Sequence, residues 1–225
     1  MELKQTNLAI AFDAVTGSIL QGGSTTLTFS HTCSGTDRIL FVAANTRDDD
    51  GAAISSVTYG GVAMTFINVS VLGIANYRLS LYYLIAPSTG ANNVVITKPS
   101  STGDIMASAA SYTGVKQTSQ PDASTTATGS GSPVTTNLTT IADNSWAVLA
   151  ASNMDSDFVS GTNATLRSTT IKSTAVIADT NGPKTPAGSL SMTLTYSGTR
   201  QQGTVMASFA PAVAASTNSN FFQFM

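Results

Sequence analysis

The sequence predicts an all-β protein, an antiparallel β-sandwich of jelly-roll-like type, and three observations carry that prediction. Composition is the first: 34 Thr and 29 Ser stand against one Glu (Glu2), five Lys and five Arg. Threonine suits a pleated, half-buried surface, whereas Glu, Lys and Arg are the residues that clothe helices. The second is the recurrence of short apolar or alternating runs, broken by Gly, Pro, Asn, Asp and Ser clusters. The third is that no segment keeps apolar residues at i, i+3 and i+4 over three turns.

Taken in order, the first half offers strands at Leu8–Asp13, Thr25–His31, Arg38–Asn45, Ser55–Tyr59, Ala63–Ser70, Arg78–Ala86, Asn93–Thr97 and Asp104–Tyr112. The second half offers Val134–Thr140, Ser145–Ser152, Ala164–Thr170, Ala175–Asp179, Ser189–Tyr196 and Thr204–Phe209. Leu27 and Phe29 alternate with threonines, and Leu190, Met192 and Leu194 alternate with Ser and Thr. Such period-2 runs put one face on a core and one in water. The runs Ile39–Ala44 and Trp146–Ala151 are apolar throughout, so they are expected as central strands covered on both faces or capped by a loop. Gly60-Gly61 reads as a tight hairpin turn. Pro87, Pro99, Pro121 and Pro133 fall between runs, where a missing N–H is harmless.

A weak repeat relates the halves. Thr25-Thr26-Leu27-Thr28 and the run Arg38–Asn45 answer to Thr136-Asn137-Leu138-Thr139 and the run Trp146–Asn153, each followed by an acidic loop. Each half closes on Met-Ala-Ser, at Met106-Ala107-Ser108 and Met206-Ala207-Ser208. The preferred reading is one sandwich domain over 1–211 with a hydrophobic tail over 212–225. The alternative is two immunoglobulin-like domains hinged at the Ser/Thr/Gly stretch Ser124–Ser132. The tail ends in Phe221-Phe222-Gln223-Phe224-Met225. So apolar a segment is expected to be covered, and Phe221, Phe222, Phe224 and Met225 are the candidate partner-docking residues.

Only 10% of residues are charged and the net charge is −2, which leaves no footprint for nucleic acid or an anionic membrane. No run approaches the ~20 apolar residues of a membrane span, and no signal-peptide core follows Met1, so synthesis in a cytoplasm is expected. Cys33 is the single cysteine and is read as a small core or loop residue. His31 is the single histidine; a Ser-His-Asp triad would need it as base, but no Gly-x-Ser-x-Gly elbow accompanies it. No carboxylate pair stands out for glycoside hydrolysis, so no catalytic residues are assigned. Asp48, Asp50, Asp155 and Asp157 lie in loops after the two apolar runs and are weak candidates for calcium, the one cofactor considered. Tyr77, Arg78 and Tyr82 are candidates for a glycan-binding face, because sugars stack on aromatic rings beside polar groups.

Two strings also carry a resemblance. Leu81-Tyr82-Tyr83-Leu84-Ile85-Ala86 with Gly90 and Val94-Val95-Ile96-Thr97 is one; Ala109-Ala110-Ser111-Tyr112-Thr113-Gly114-Val115 with Pro121-Asp122-Ala123 is the other. With the closing Met206–Pro211, they resemble jelly-roll-like β-sandwich modules of tailed-bacteriophage structural proteins and bacterial surface proteins. The resemblance implies a non-enzymatic virion surface protein, a capsid decoration protein or a head or tail fibre subunit, assembled in the host cytoplasm. Its partners would be other virion proteins or copies of itself, with a host surface glycan as a further candidate. The alternative it implies is a carbohydrate-binding adhesion module of a secreted or cell-surface protein.

Overall fold

The computed structural model describes residues 7–47, 52–72, 77–153, 157–168 and 175–214. These residues form strands, turns and loops with no helix. The first half contributes β1 (Ala11–Gly22), β2 (Thr26–Cys33), β3 (Ile39–Arg47), β4 (Ser56–Tyr59), β5 (Val62–Ala63), β6 (Thr65–Val71), β7 (Tyr77–Ile85), β8 (Gly90–Thr97) and β9 (Asp104–Thr113). The second contributes β10 (Ala123–Ser130), β11 (Val134–Thr139), β12 (Trp146–Asn153), β13 (Phe158–Ser160), β14 (Thr165–Leu166), β15 (Val176–Asp179), β16 (Ser189–Tyr196) and β17 (Gln201–Phe209).

The strands form four antiparallel sheets, and no sheet draws strands from both halves. A first inner sheet runs β1-β9-β3-β7-β6 and a first outer sheet β2-β8-β4-β5. A second inner sheet runs β10-β17-β12-β15-β14 and a second outer sheet β11-β16-β13. The two inner sheets follow one scheme: the half's first strand, then its last, then its third. The outer sheets likewise begin with the half's second strand followed by its penultimate one.

Three cores hold these sheets as four layers. Leu40, Val42 and Ala44 of β3 point into a core shared with Leu27, Val57, Val94 and Ile96 of the first outer sheet. Ala147, Leu149 and Ala151 of β12 point into the matching core with Leu138, Leu190, Met192 and Leu194. The alternate residues of the same strands, Ile39, Phe41 and Ala43 with Trp146, Val148 and Ala150, meet in a third core between the two inner sheets. The apolar runs are therefore central strands covered on both faces, as their lack of alternation requires. Each covering layer is a sheet.

Several elements differ from the sequence reading. The stretch Ser124–Ser132, assigned no strand in the sequence reading and taken as a hinge only in the two-domain alternative, is largely the edge strand β10, which pairs along its length with β17. Its alternating, mostly exposed Thr and Ser suit an edge strand as well as a linker, and only the presence of β17 decides. β1 continues to Gly22 through two register irregularities that mask its alternation. The run Ala63–Ser70 breaks at Met64: β5 pairs with β4 in the outer sheet, while β6 pairs with β7 in the inner one. Gly60 and Gly61, at φ +55° and +81°, make the β4–β5 hairpin turn as expected. β13 is a three-residue strand that the sequence does not signal. After β17, backbone hydrogen bonds from Ala212 N to Gly114 O (2.8 Å) and from Leu8 N to Ala212 O (2.7 Å) stitch the chain back onto the first half.

Candidate functional site

Three constellations gather the chain's chemistry. The first lies where β1, β2 and β9 meet. Because β2 alternates, His31 and Cys33 share its buried face, each 1% exposed. His31 Nε2 stands 3.1 Å from Ser111 Oγ, and His31 Nδ1 3.0 Å from Thr16 Oγ1. Ser111 Oγ donates to Asp13 Oδ2 at 2.7 Å. Asp13 also accepts from the Ser34 N–H at 2.9 Å and from the Ser34 hydroxyl. The residue types are those of a triad, but the order is different. In a triad the serine gives its proton to the histidine; here the Ser111 proton is directed at Asp13. The Ser111 oxygen is then left to accept from Nε2–H, with Nδ1 accepting from Thr16.

Electrostatics agree with that wiring. Burial pushes the His31 imidazole down to about 4, against a smaller opposing pull from Asp13. Burial also raises the Cys33 thiol, keeping it protonated and unreactive. For Asp13, burial works upward, but the hydrogen bonds from Ser34 and Ser111 outweigh it and hold the carboxyl below its usual range. A histidine whose folded value lies below its unfolded value of ~6.5 adds stability in full above pH 6.5 and loses it as pH falls toward 4. The chain is accordingly expected to be about 2–3 kcal/mol less stable at pH 4.5 than at pH 7.5 through this group alone. Urea unfolding of the wild type and His31→Gln at both pH values checks it: the variant should lack this part of the pH dependence.

The second constellation joins the two halves. Asp179 on β15 is fully buried. It accepts from Arg167 Nε at 2.7 Å and Nη2 at 2.9 Å, and from the Tyr112 hydroxyl of β9 at 3.0 Å. Arg167 Cζ also lies 4.3 Å from the centroid of the Phe12 ring on β1. Burial beside the Asp179 carboxylate holds the Tyr112 phenol well above its usual value, so it stays a donor. This cluster fixes how the inner sheets stack; its acceptor and donors are turned toward one another.

The third constellation is a cleft of about 510 Å³ at the open edge of the first sandwich, where the chain leaves β5 for β6. Directly opposed residues of an antiparallel pair share a face. The β6–β7 register therefore brings Phe66 beside Tyr82, Val69 beside Ser80, and Val71 beside Arg78. A bulge at Ile67 allows Phe66 and Val69, three residues apart, to lie on the same side. Ile54, Val57 and Met64 form the opposing wall. Phe66 remains 50% exposed and meets Tyr82 edge-on at 5.4 Å. Arg78 Nε is buried without a hydrogen-bond partner among the described residues. The size lies within the range of small-molecule sites, and the mix of apolar wall and few polar groups is typical of them.

Of the residues singled out in the sequence, Arg78 and Tyr82 line this cleft. Tyr77 does not: it is 2% exposed, lies on the opposite face of β7, and its hydroxyl accepts from Arg47 Nη1 at 3.4 Å. Phe66 and Met64 were missed. Exposure of Phe66 follows from the split of one apolar run between two sheets, which periodicity does not announce. Asp48, Asp50 and Asp155 lie outside the described residues, and Asp157 is exposed. Among the described residues no three His, Cys, Asp or Glu side chains are grouped to hold a metal ion. Phe221, Phe222, Phe224 and Met225 also lie outside the described residues. In comparisons with known proteins, no family, no curated protein and no solved structure matches the chain.

Proposed function

We propose that the chain is a non-enzymatic structural protein of a bacteriophage particle, exposed on the virion surface and acting by protein–protein docking. The observation that supports this reading is the four-layer stack of sheets, in which the inner faces of both sandwiches are consumed in one shared core. Such a block is suited to bearing load and presenting edges. The polar clusters around His31 and Asp179 serve it as internal fasteners. The matching strand orders of the halves support reading each as a jelly-roll-like unit of a duplicated pair. In this reading the partners are other virion proteins or further copies, the Phe221–Met225 segment supplies a docking anchor, and assembly takes place in the host cytoplasm.

The test is light scattering on a sizing column, comparing the 225-residue chain with a version ending at Thr217. The full chain is expected to self-assemble and the shortened one to run as a monomer. Two monomers of equal stability would remove the tail as a self-assembly anchor.

The cleft favours a second reading, a carbohydrate-binding adhesion module of a bacterial surface or secreted protein. Here Tyr82 and Arg78 would face the sugar, while Tyr77 would hold the strand from behind.

A further inference from the structure

We propose that the cleft between β4–β5 and β6–β7 binds a glycan through a carboxylate-bearing sugar residue, with Arg78 meeting the carboxylate and Phe66 covering the apolar face of the ring. The proposal rests on the carbohydrate-binding reading and narrows it to acidic sugars.

Two features of the cleft point the same way. Arg78 is one of only five arginines in the chain, and β7 carries it inward, toward the space between the two sheets of the first sandwich. Its neighbours on that face are Ser80 and Tyr82, and among the described residues no carboxylate lines the cleft. Arg78 Nε is itself sealed from solvent, but the residue keeps part of its surface on the cleft, and the groups that match a guanidinium best are planar anionic oxygens. A carboxylate on a ligand would supply them. Arg47, one strand away, shows the alternative arrangement: it is satisfied within the protein, 2.8 Å from Asp104.

Phe66 supplies the second feature. It is half exposed, yet it is not loose, because Tyr82 supports it edge-on at 5.4 Å. A ring held in place with one side open is a platform for the C–H face of a pyranose. Ser55 and Ser56 add exposed hydroxyls at the rim and Ser80 a buried one deeper in the cleft, able to donate to or accept from sugar hydroxyls. A purely apolar ligand would leave both these hydroxyls and Arg78 unmatched. A neutral sugar would satisfy the serines but offer Arg78 no anion. The volume of about 510 Å³ admits one or two sugar rings.

The experiment is calorimetric titration of the full chain with 3′-sialyllactose and a hyaluronan tetrasaccharide, with lactose as the neutral control. At least one acidic probe is expected to bind at least tenfold more tightly than lactose. Arg78→Gln should abolish that preference, and Phe66→Ala should weaken every saccharide that binds. Phe66 is half exposed, so its variant is expected to fold even if Arg78→Gln does not. Lactose binding as tightly as both acidic probes would overturn the acidic-sugar inference and leave the carbohydrate reading standing. No binding by any of the three would overturn both. Acidic binding that survives Arg78→Gln and Phe66→Ala unchanged would place the site elsewhere and also overturn the proposal.

Discussion

Asp179→Ala is expected to lower the stability of the folded chain by about 3–5 kcal/mol, the range for removing one partner of a buried ion pair. The carboxylate is fully buried and accepts from four donors: two guanidinium nitrogens of Arg167, the Tyr112 hydroxyl and the backbone N–H of Asn181. Its loss strands Arg167 Nε, the Tyr112 hydroxyl and the Asn181 N–H, while Arg167 Nη2 keeps Asn181 Oδ1 at 2.6 Å. The Arg167 side chain is only 16% exposed, so water does not readily replace the lost partner. For a chain of this length, the change corresponds to a drop in Tm of about 6–20 °C if unfolding is two-state. The pairing can be separated from the mere presence of a carboxylate. Asp179→Ala combined with Arg167→Met removes both charges and should be less destabilised than Asp179→Ala alone. Thermal unfolding of the two variants beside the wild type measures this; a double variant at least as unstable as the single one would count against the ion pair as the cause.

Phe209→Ala should cost a similar amount, about 3–5 kcal/mol, by a different mechanism. Phe209 ends β17, has no exposed surface, and belongs to the core between the inner sheets. Its ring lies 5.3 Å from Phe41 and 5.0 Å from Tyr112, both on the first half. The truncation therefore opens a cavity at the join between the halves as well as losing apolar burial. If the shared core makes the halves cooperative, tyrosine fluorescence in a Tyr196→Phe background, then reporting the first half, and Trp146 fluorescence from the second should still change at one denaturant midpoint. Two separated midpoints in the variant would mean that Phe209 supplies much of the coupling.

Both predictions depend on the stacking of two inner sheets, and the sequence held part of that information. The nine residues of β3 and the eight of β12 are buried almost without a break. Unbroken apolar runs in an otherwise alternating chain require cover on both sides, so central strands could be read directly. The turn at Gly60-Gly61 was legible for a related reason: two successive residues with positive φ leave glycine nearly unopposed. The candidate sites were less legible. Arg78 and Tyr82 are four apart on one strand and so share a face by strand periodicity alone. Tyr77 fails by the same rule, being odd-numbered with respect to both. Phe66 enters the cleft through a bulge and a change of sheet, neither of which leaves a mark in composition or spacing.

The sequence by itself determined the class of structure: all-β, antiparallel, with two central apolar strands and alternating partners, because side-chain period and turn chemistry are local properties. It also bounded the chemistry, with a single histidine, a single cysteine and few charges. Only the tertiary structure decided which sheet each strand joins, that Ser124–Ser130 pairs with β17 as an edge strand, and that the Ser111 proton faces Asp13 and not His31. The reason is the same in each case. Sheet partners and hydrogen-bond directions are set by residues dozens of positions away, as with Asp13 and Ser111, 98 apart, or Ala123 and Ser208 across β10 and β17. No local pattern in the chain encodes such meetings.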